Sequence, residues 1–144
     1  MELDHVVLAD MASPRPDGKL DLHGVGWDTI FAASVPATHP RIDLVVRLLL
    51  SAQEVETAHR VVVTLLSPDA ELARIQADVS PMAPEQRATI EPGRRVGIGM
   101  LITLAEIVFP QYGAYSLVVT WDGTEVREPI RLFVAPPPAP VQPA

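Results

Sequence analysis

Residues Lys19–Leu50 read KLDLHGVGWDTIFAASVPATHPRIDLVVRLLL, and the last ten of them decide the fold. From Arg41, one alternating set is Ile42, Leu44, Val46, Leu48 and Leu50, and the other is Arg41, Asp43, Val45, Arg47 and Leu49. Successive side chains of a strand point to opposite sides, so this is a strand with one apolar face and one mixed face. A helix would gather Arg41, Leu44, Val45 and Leu48 on one stripe and leave Leu49 and Leu50 without a common face. Upstream, Pro36-Ala-Thr-His-Pro40 is bounded by residues that cannot donate to a ladder, which predicts a crossover between sheets or edges. In Lys19–Val25 the pattern sends Leu20 and Leu22 inward and Asp21 and His23 outward. Gly24 and Gly26 predict a bulge that turns Val25 and Trp27 toward the core.

Working outward, Leu3–Ala9 reads as a short strand, and Asp17-Gly18 ends the turn-rich loop before the return strand. Downstream, Val61, Val63 and Leu65 form one inward set, and Ala73, Ile75, Ala77 and Val79 form another whose small alanines suggest close packing or an edge. Ser80–Arg95 carries Pro81, Pro84, Pro92 and Gly93 and is the longest irregular stretch. Then Val96, Ile98, Met100, Ile102 and Leu104 alternate with Arg95, Gly97, Gly99, Leu101 and Thr103. The glycines leave room there for another backbone, a ligand or a large side chain. Phe109–Gly113 breaks this strand; Tyr115, Leu117, Val119 and Trp121 share the next inward face. Asp122-Gly123 turns tightly into Thr124–Val134, with Ile130, Leu132 and Val134 inward. No segment has a convincing helical period.

These segments predict an all-β, two-layer antiparallel β-sandwich of seven to eight strands, immunoglobulin-like or jelly-roll, over residues 1–134. Residues 135–144, APPPAPVQPA, form a Pro-rich C-terminal tail expected to be extended or disordered, a spacer or, through the PxxP spacing of Pro137 and Pro140, a weak ligand motif. A 144-residue chain can bury a full core without disulfides or metal. It has no cysteine, which excludes disulfides, thiolate catalysis and Cys-based zinc sites. The net charge of −7 argues against nucleic-acid and anionic-membrane partners. The N-terminus lacks the basic region of a signal peptide, and no window is apolar enough to span a membrane. A soluble cytoplasmic protein is the expectation. The Arg-over-Lys bias, with abundant Ala, Pro and Val, points to a high-GC bacterial genome.

The chemistry-bearing residues form few constellations. His5, His23, His39 and His59 show no spacing that would place two imidazoles on one metal, so neither metal nor cofactor is expected. No GxSxG elbow is present, and the glycine pairs lack the following helix of a phosphate cradle. No catalytic residue is nominated and a non-enzyme is expected; an enzyme would need His39 or His59 within hydrogen-bond reach of an acid or hydroxyl in a cleft. Trp27, His39, Arg95, Gly97 and Gly99 are the candidate binding residues. His39 lies in a constrained Thr-His-Pro corner, where the favoured role of its side chain is to cap the crossover's backbone groups. Trp27 and Trp121 could stack on a sugar, but both fit core positions.

Two resemblances follow from these residues. Pro110-Gln-Tyr-Gly-Ala-Tyr115, with the alternation after it, resembles the last hairpin of an immunoglobulin-like sandwich. That resemblance implies a tyrosine corner, in which the Tyr115 hydroxyl bonds a nearby backbone group. The cysteine pair and core-tryptophan spacing of true immunoglobulin domains are absent. More broadly, LADMASPRPDGKL, GKLDLHGVGWDTI, VPATHP, RIDLVVRLLL and YGAYSLVVTWDGTEV resemble an uncharacterised bacterial family of about this length, a domain of unknown function. It implies a β-sandwich and no activity. The expected function is a non-enzymatic module that binds a protein partner or forms a homo-oligomer, from the outward apolar residues Val45, Leu49, Val62, Leu66 and Leu101. The alternative is a small-molecule or carbohydrate binder that uses the Gly97/Gly99 face with Ser80–Arg95 as a lid.

Overall fold

The computed structural model of the protein describes residues 1–140, so the last four residues of the tail lie outside the described residues. Two sheets pack face to face. The first has the order β2-β1-β4-β7, with β1 at Glu2–Pro14, β2 at Leu20–Val25, β4 at Ala37–Leu50 and β7 at Val96–Phe109. The second is ordered β3-β10-β8-β5-β6, with β3 at Thr29–Phe31, β5 at His59–Leu66, β6 at Glu71–Val79, β8 at Gly113–Trp121 and β10 at Ile130–Ala135; β9, Thr124–Glu125, pairs with β8. The all-β sandwich is therefore as expected, with ten strands rather than seven or eight. β3 falls where the sequence resumes strand character, at Trp27–Ala32, and Thr124–Val134, which reads as one strand, divides into β9 and β10. All pairings are antiparallel except β10 with β3. Among the described residues no helix is long and apolar enough to cross a membrane.

The quoted stretch does hold the central strand. β4 lies between β1 and β7, and Ile42, Leu44, Val46, Leu48 and Leu50 are all buried in the core. Each such side chain contributes about 1.5–3 kcal/mol by leaving water. Facing them from the second sheet are Val61, Val63, Leu65, Leu117, Val119, Leu132 and Val134. Tyr115 completes the corner that its sequence context implies: its hydroxyl donates to the Gln111 carbonyl at 2.6 Å and accepts the Gln111 amide at 3.2 Å, with Phe109 edge-on at 5.0 Å. The Asp122-Gly123 loop takes positive φ at both positions, 48° and 85°, as a two-residue hairpin matched to strand twist requires.

Four local expectations are corrected. First, β2 is an exposed edge: Leu22 is 38% and Val25 52% exposed. Gly24 and Gly26 both take positive φ, and the turn they make leaves Val25 outside while Trp27 packs, partly buried, against the core as expected. Second, the proline-bounded segment is already strand, since Ala37, Thr38 and His39 pair with Phe109, Val108 and Ile107. Pro40 is tolerated because the ladder skips there, opposite Glu106, whose φ is 51°. Third, that left-handed residue changes the parity of β7: the buried positions are Ile102 and Leu104 before it and Ile107 and Phe109 after it. Fourth, Ser80–Arg95 contains a helical turn, Pro84–Arg87, and closes one end of the sandwich rather than lying over Gly97 and Gly99 alone. Met82 donates its amide to Val55 O at 2.8 Å, anchoring the segment to the short 3-10 turn Glu54–Glu56.

Candidate functional site

The five nominated binding residues do not form one site. Trp27 and His39 are neighbours, with ring centroids 6.4 Å apart, and the Trp27 Nε1 donates to Gly24 O at 2.6 Å. Arg95, Gly97 and Gly99 lie at the far end of the same sheet. Gly97 and Gly99 pair with Leu49 and Arg47, ten and eight residues along β4 from His39, about 33 and 26 Å at the rise of a strand. The room left by Gly97 is taken by a large side chain: a Cβ there would sit 2.3 Å from Arg47 Nη2. Arg47 in turn pairs with Asp4 at 2.5 Å, and Arg95 pairs with Glu2. A groove of about 320 Å³ between the Ser80–Arg95 segment and the start of β7 does join Arg95 to Gly97.

The outward apolar residues are not a patch either. Val45 is buried between its ladder neighbours Val7 and Leu101, while Leu49, Val62, Leu66 and Leu101 are half-buried. Beside Val45, Asp43 is 0% exposed on the same face. Its carboxylate accepts the Ala12 amide at 2.7 Å, Thr103 Oγ1 at 2.7 Å and the Arg41 guanidinium at 2.7 and 2.9 Å. Every acceptor position faces a donor, so the group is structural.

His59 meets the distance condition set for an enzyme. At the mouth between the sheets, a cleft of about 200 Å³ is lined by Leu50, Val79, Met82, Ile98, Thr57 and His59 among others. His59 Nδ1 lies 2.7 Å from Asp122 Oδ2 and Nε2 lies 3.2 Å from Thr57 Oγ1, a hydroxyl–imidazole–carboxylate chain. But Nε2 is also 2.5 Å from the Glu54 carbonyl oxygen. With an acceptor against each nitrogen, only the imidazolium can donate to both, and it stacks on Trp121 at 4.4 Å. Donation from Nε2 to the Glu54 carbonyl would leave that nitrogen no lone pair for the Thr57 proton. Burial pushes the ring's pKa down, but the Asp122 carboxylate and the Glu54 carbonyl overcome this and hold it above the ordinary histidine value.

A pH prediction follows. A raised folded-state pKa means the stabilisation is fully present below the unfolded value of about 6.5 and is lost as pH rises through the folded value. The urea midpoint of the wild-type chain should therefore exceed that of His59→Gln by more at about pH 5.5 than at about pH 9. Equal differences at the two pH values would mean that the ring is neutral in the fold.

One feature of the surface was not foreseen. The chain has two Trp, two Tyr and three Phe, yet Phe31, Tyr112 and Phe133 are 57%, 38% and 38% exposed. They share the outer face of the second sheet at its β3 edge. Phe133 pairs with Thr29 on one side and Ala114 on the other, and Ala135 pairs with Phe31. The Tyr112 hydroxyl reaches across β10 to donate to Ala32 O at 2.8 Å. Thr29, Phe31, Tyr112, Ala114, Phe133 and Ala135 thus make an uncharged aromatic platform, flanked by Arg131. The signal available in sequence was the alternation of β10 itself: with Leu132 and Val134 inward, Phe133 must face out.

A family model described as a family of unknown function (DUF6941) matches residues 4–135. No curated protein and no solved structure matches the chain.

Proposed function

Since the chain belongs to the DUF6941 family of unknown function, we propose from its own geometry that it is a non-enzymatic protein-interaction module that docks through the Phe31–Tyr112–Phe133 face. The observation that carries this reading is the exposure of three rings together in a chain so poor in aromatics. Tyr and Phe supply large contact area at low entropic cost, and such residues are enriched where partners meet. Exposed apolar side chains gathered on one sheet face mark a contact surface more than singly scattered ones do. The acceptors facing both ring nitrogens of His59 place it poorly for general-base chemistry at the cleft. The Tyr115 corner supports an immunoglobulin-like relationship for the sandwich.

The test places a photo-crosslinking phenylalanine analogue at Phe133 and, as a control, at Gln76 on the outer face of β5–β6. Adducts to a protein, whether a second copy or another chain, are expected from position 133 and not from position 76. Equal labelling from the two positions, or none from 133 in the native host, would sink the reading.

A second reading, a small-molecule binder, is favoured by the groove at Arg95 and Gly97, whose volume of about 320 Å³ enters the range of about 300–1,000 Å³ typical of ligand sites. Gln86, Thr89, Arg94 and Arg95 bring polar groups to it. The aliphatic cleft beside His59 is smaller, and no Phe, Tyr or Trp lines it. Thermal stabilisation by a library compound, abolished in Arg95→Ala, is the result that would promote this reading over the first.

A further inference from the structure

The aromatic face has a partner of matching chemistry within the chain. Ala135, the last residue of β10, lies in the platform itself, paired with Phe31. The proline-rich segment leaves the fold from that point, and Pro136–Pro140 is wholly exposed, free of strand or helix. Proline-rich segments are recognised by aromatic-lined surfaces because their extended conformation is already paid for in entropy and their rings lie flat on aromatic faces.

We propose that Pro136–Pro140 docks on the Phe31–Tyr112–Phe133 face of a second copy of this chain. This rests on the reading of that face as the interaction surface and names its occupant.

Geometry excludes the segment's own copy and favours a second one. The residue before a proline is held extended, and three consecutive prolines, Pro136–Pro138, fix φ near −65°. The tail therefore continues the line of β10 and cannot double back over Ala135 within a few residues. In polyproline II form, five residues advance about 15 Å, enough to cross a neighbouring platform. Because each tail starts inside the face it would occupy on its partner, two copies related by a twofold axis can exchange tails reciprocally. That gives a closed, self-complementary contact. The aromatic residues and the tail described here carry no charge, and the charges at the rim of the face, Arg131 and the Asp28 carboxylate bonded to Thr29, can stay in water.

The experiment is sedimentation equilibrium on three proteins: the full chain, the chain ending at Ala135, and Phe133→Ser. The full chain is expected to dimerise. Truncation and the substitution should each raise the dimer dissociation constant by about thirtyfold, the loss of one aromatic hot spot. A synthetic peptide APPPAPVQPA added to the truncated chain should shift the amide resonances of Ala114, Phe133 and Phe31 and not those of β6. Thermal melts of all three proteins guard against misfolding, and the peptide titration on the truncated chain reads the contact without the Phe133→Ser change. A dimer that survives truncation but not Phe133→Ser would overturn the tail as occupant and leave the aromatic face standing. A full chain that stays monomeric, or a peptide that shifts nothing, overturns the proposal.

Discussion

Phe109→Ala should lower the unfolding free energy by about 3–5 kcal/mol, the range for emptying a buried aromatic site. Val108→Ser, one residue earlier, should change it by no more than about 0.5 kcal/mol. Phe109 is 0% exposed and meets the Tyr115 ring edge-on at 5.0 Å, whereas Val108 is 52% exposed. The contrast between adjacent residues depends on Glu106. Its φ of 51° exchanges the two faces of β7, so that odd positions are buried after it and even positions before it. Had the alternation of Val96–Leu104 run on unbroken, Val108 would be the core residue and Phe109 the exposed one. Urea denaturation of the two variants decides between these, and a larger loss for Val108→Ser would invert the strand's facing.

The second large effect is at Asp43. Asp43→Ala should cost about 3 kcal/mol, because it strands the buried Ala12 amide and the Thr103 hydroxyl without an acceptor. Arg41 remains partly in water, which keeps the cost at the low end for a broken buried pair. Burial pushes the Asp43 carboxyl up, but the hydrogen bonds from Arg41, the Ala12 amide and Thr103 outweigh it and hold the pKa below the ordinary carboxylate value. With a depressed folded pKa, the stabilisation is present above the unfolded value of about 3.9 and is lost as pH falls through the folded one. The difference between wild type and Asp43→Ala should accordingly be constant near neutrality and shrink in acid. A difference that grows on acidification would mean that the carboxyl is protonated in the fold.

Asp43 also marks the boundary of what alternation can say. Its position on the mixed face was legible, and a charged residue there reads as solvent-exposed. Burial came from elsewhere: β1 leaves the β4 ladder after Ala9, and its Ala12 amide then meets the Asp43 carboxylate. That contact spans residues 12 and 43, and no local pattern encodes it. His59 is a similar case, since its partners Glu54 and Asp122 belong to a turn and to a hairpin far along the chain. The split of Trp27 and His39 from Arg95, Gly97 and Gly99 has the same origin, because distance along β4 separates residues that composition alone would group.

The aromatic face shows the converse. Alternation already required Phe133 to point away from the core, as it required Leu132 and Val134 to point in. Phe31, by contrast, gains its place only through the parallel pairing of β3 with β10, and Tyr112 only through its hydroxyl bond to Ala32 O.

Two-residue periodicity, turn chemistry at Asp17-Gly18 and Asp122-Gly123, and the tyrosine context by themselves determined an all-β sandwich, its inward rows and the corner at Tyr115. These depend on neighbours a few residues apart, whose geometry the backbone imposes. The tertiary structure alone decided which strands are edges, where β7 changes face, which charge is buried and which exposed rings lie on one sheet face. Those outcomes depend on strand order and register between segments far apart in the chain, where free energy is set by packing rather than by local pattern.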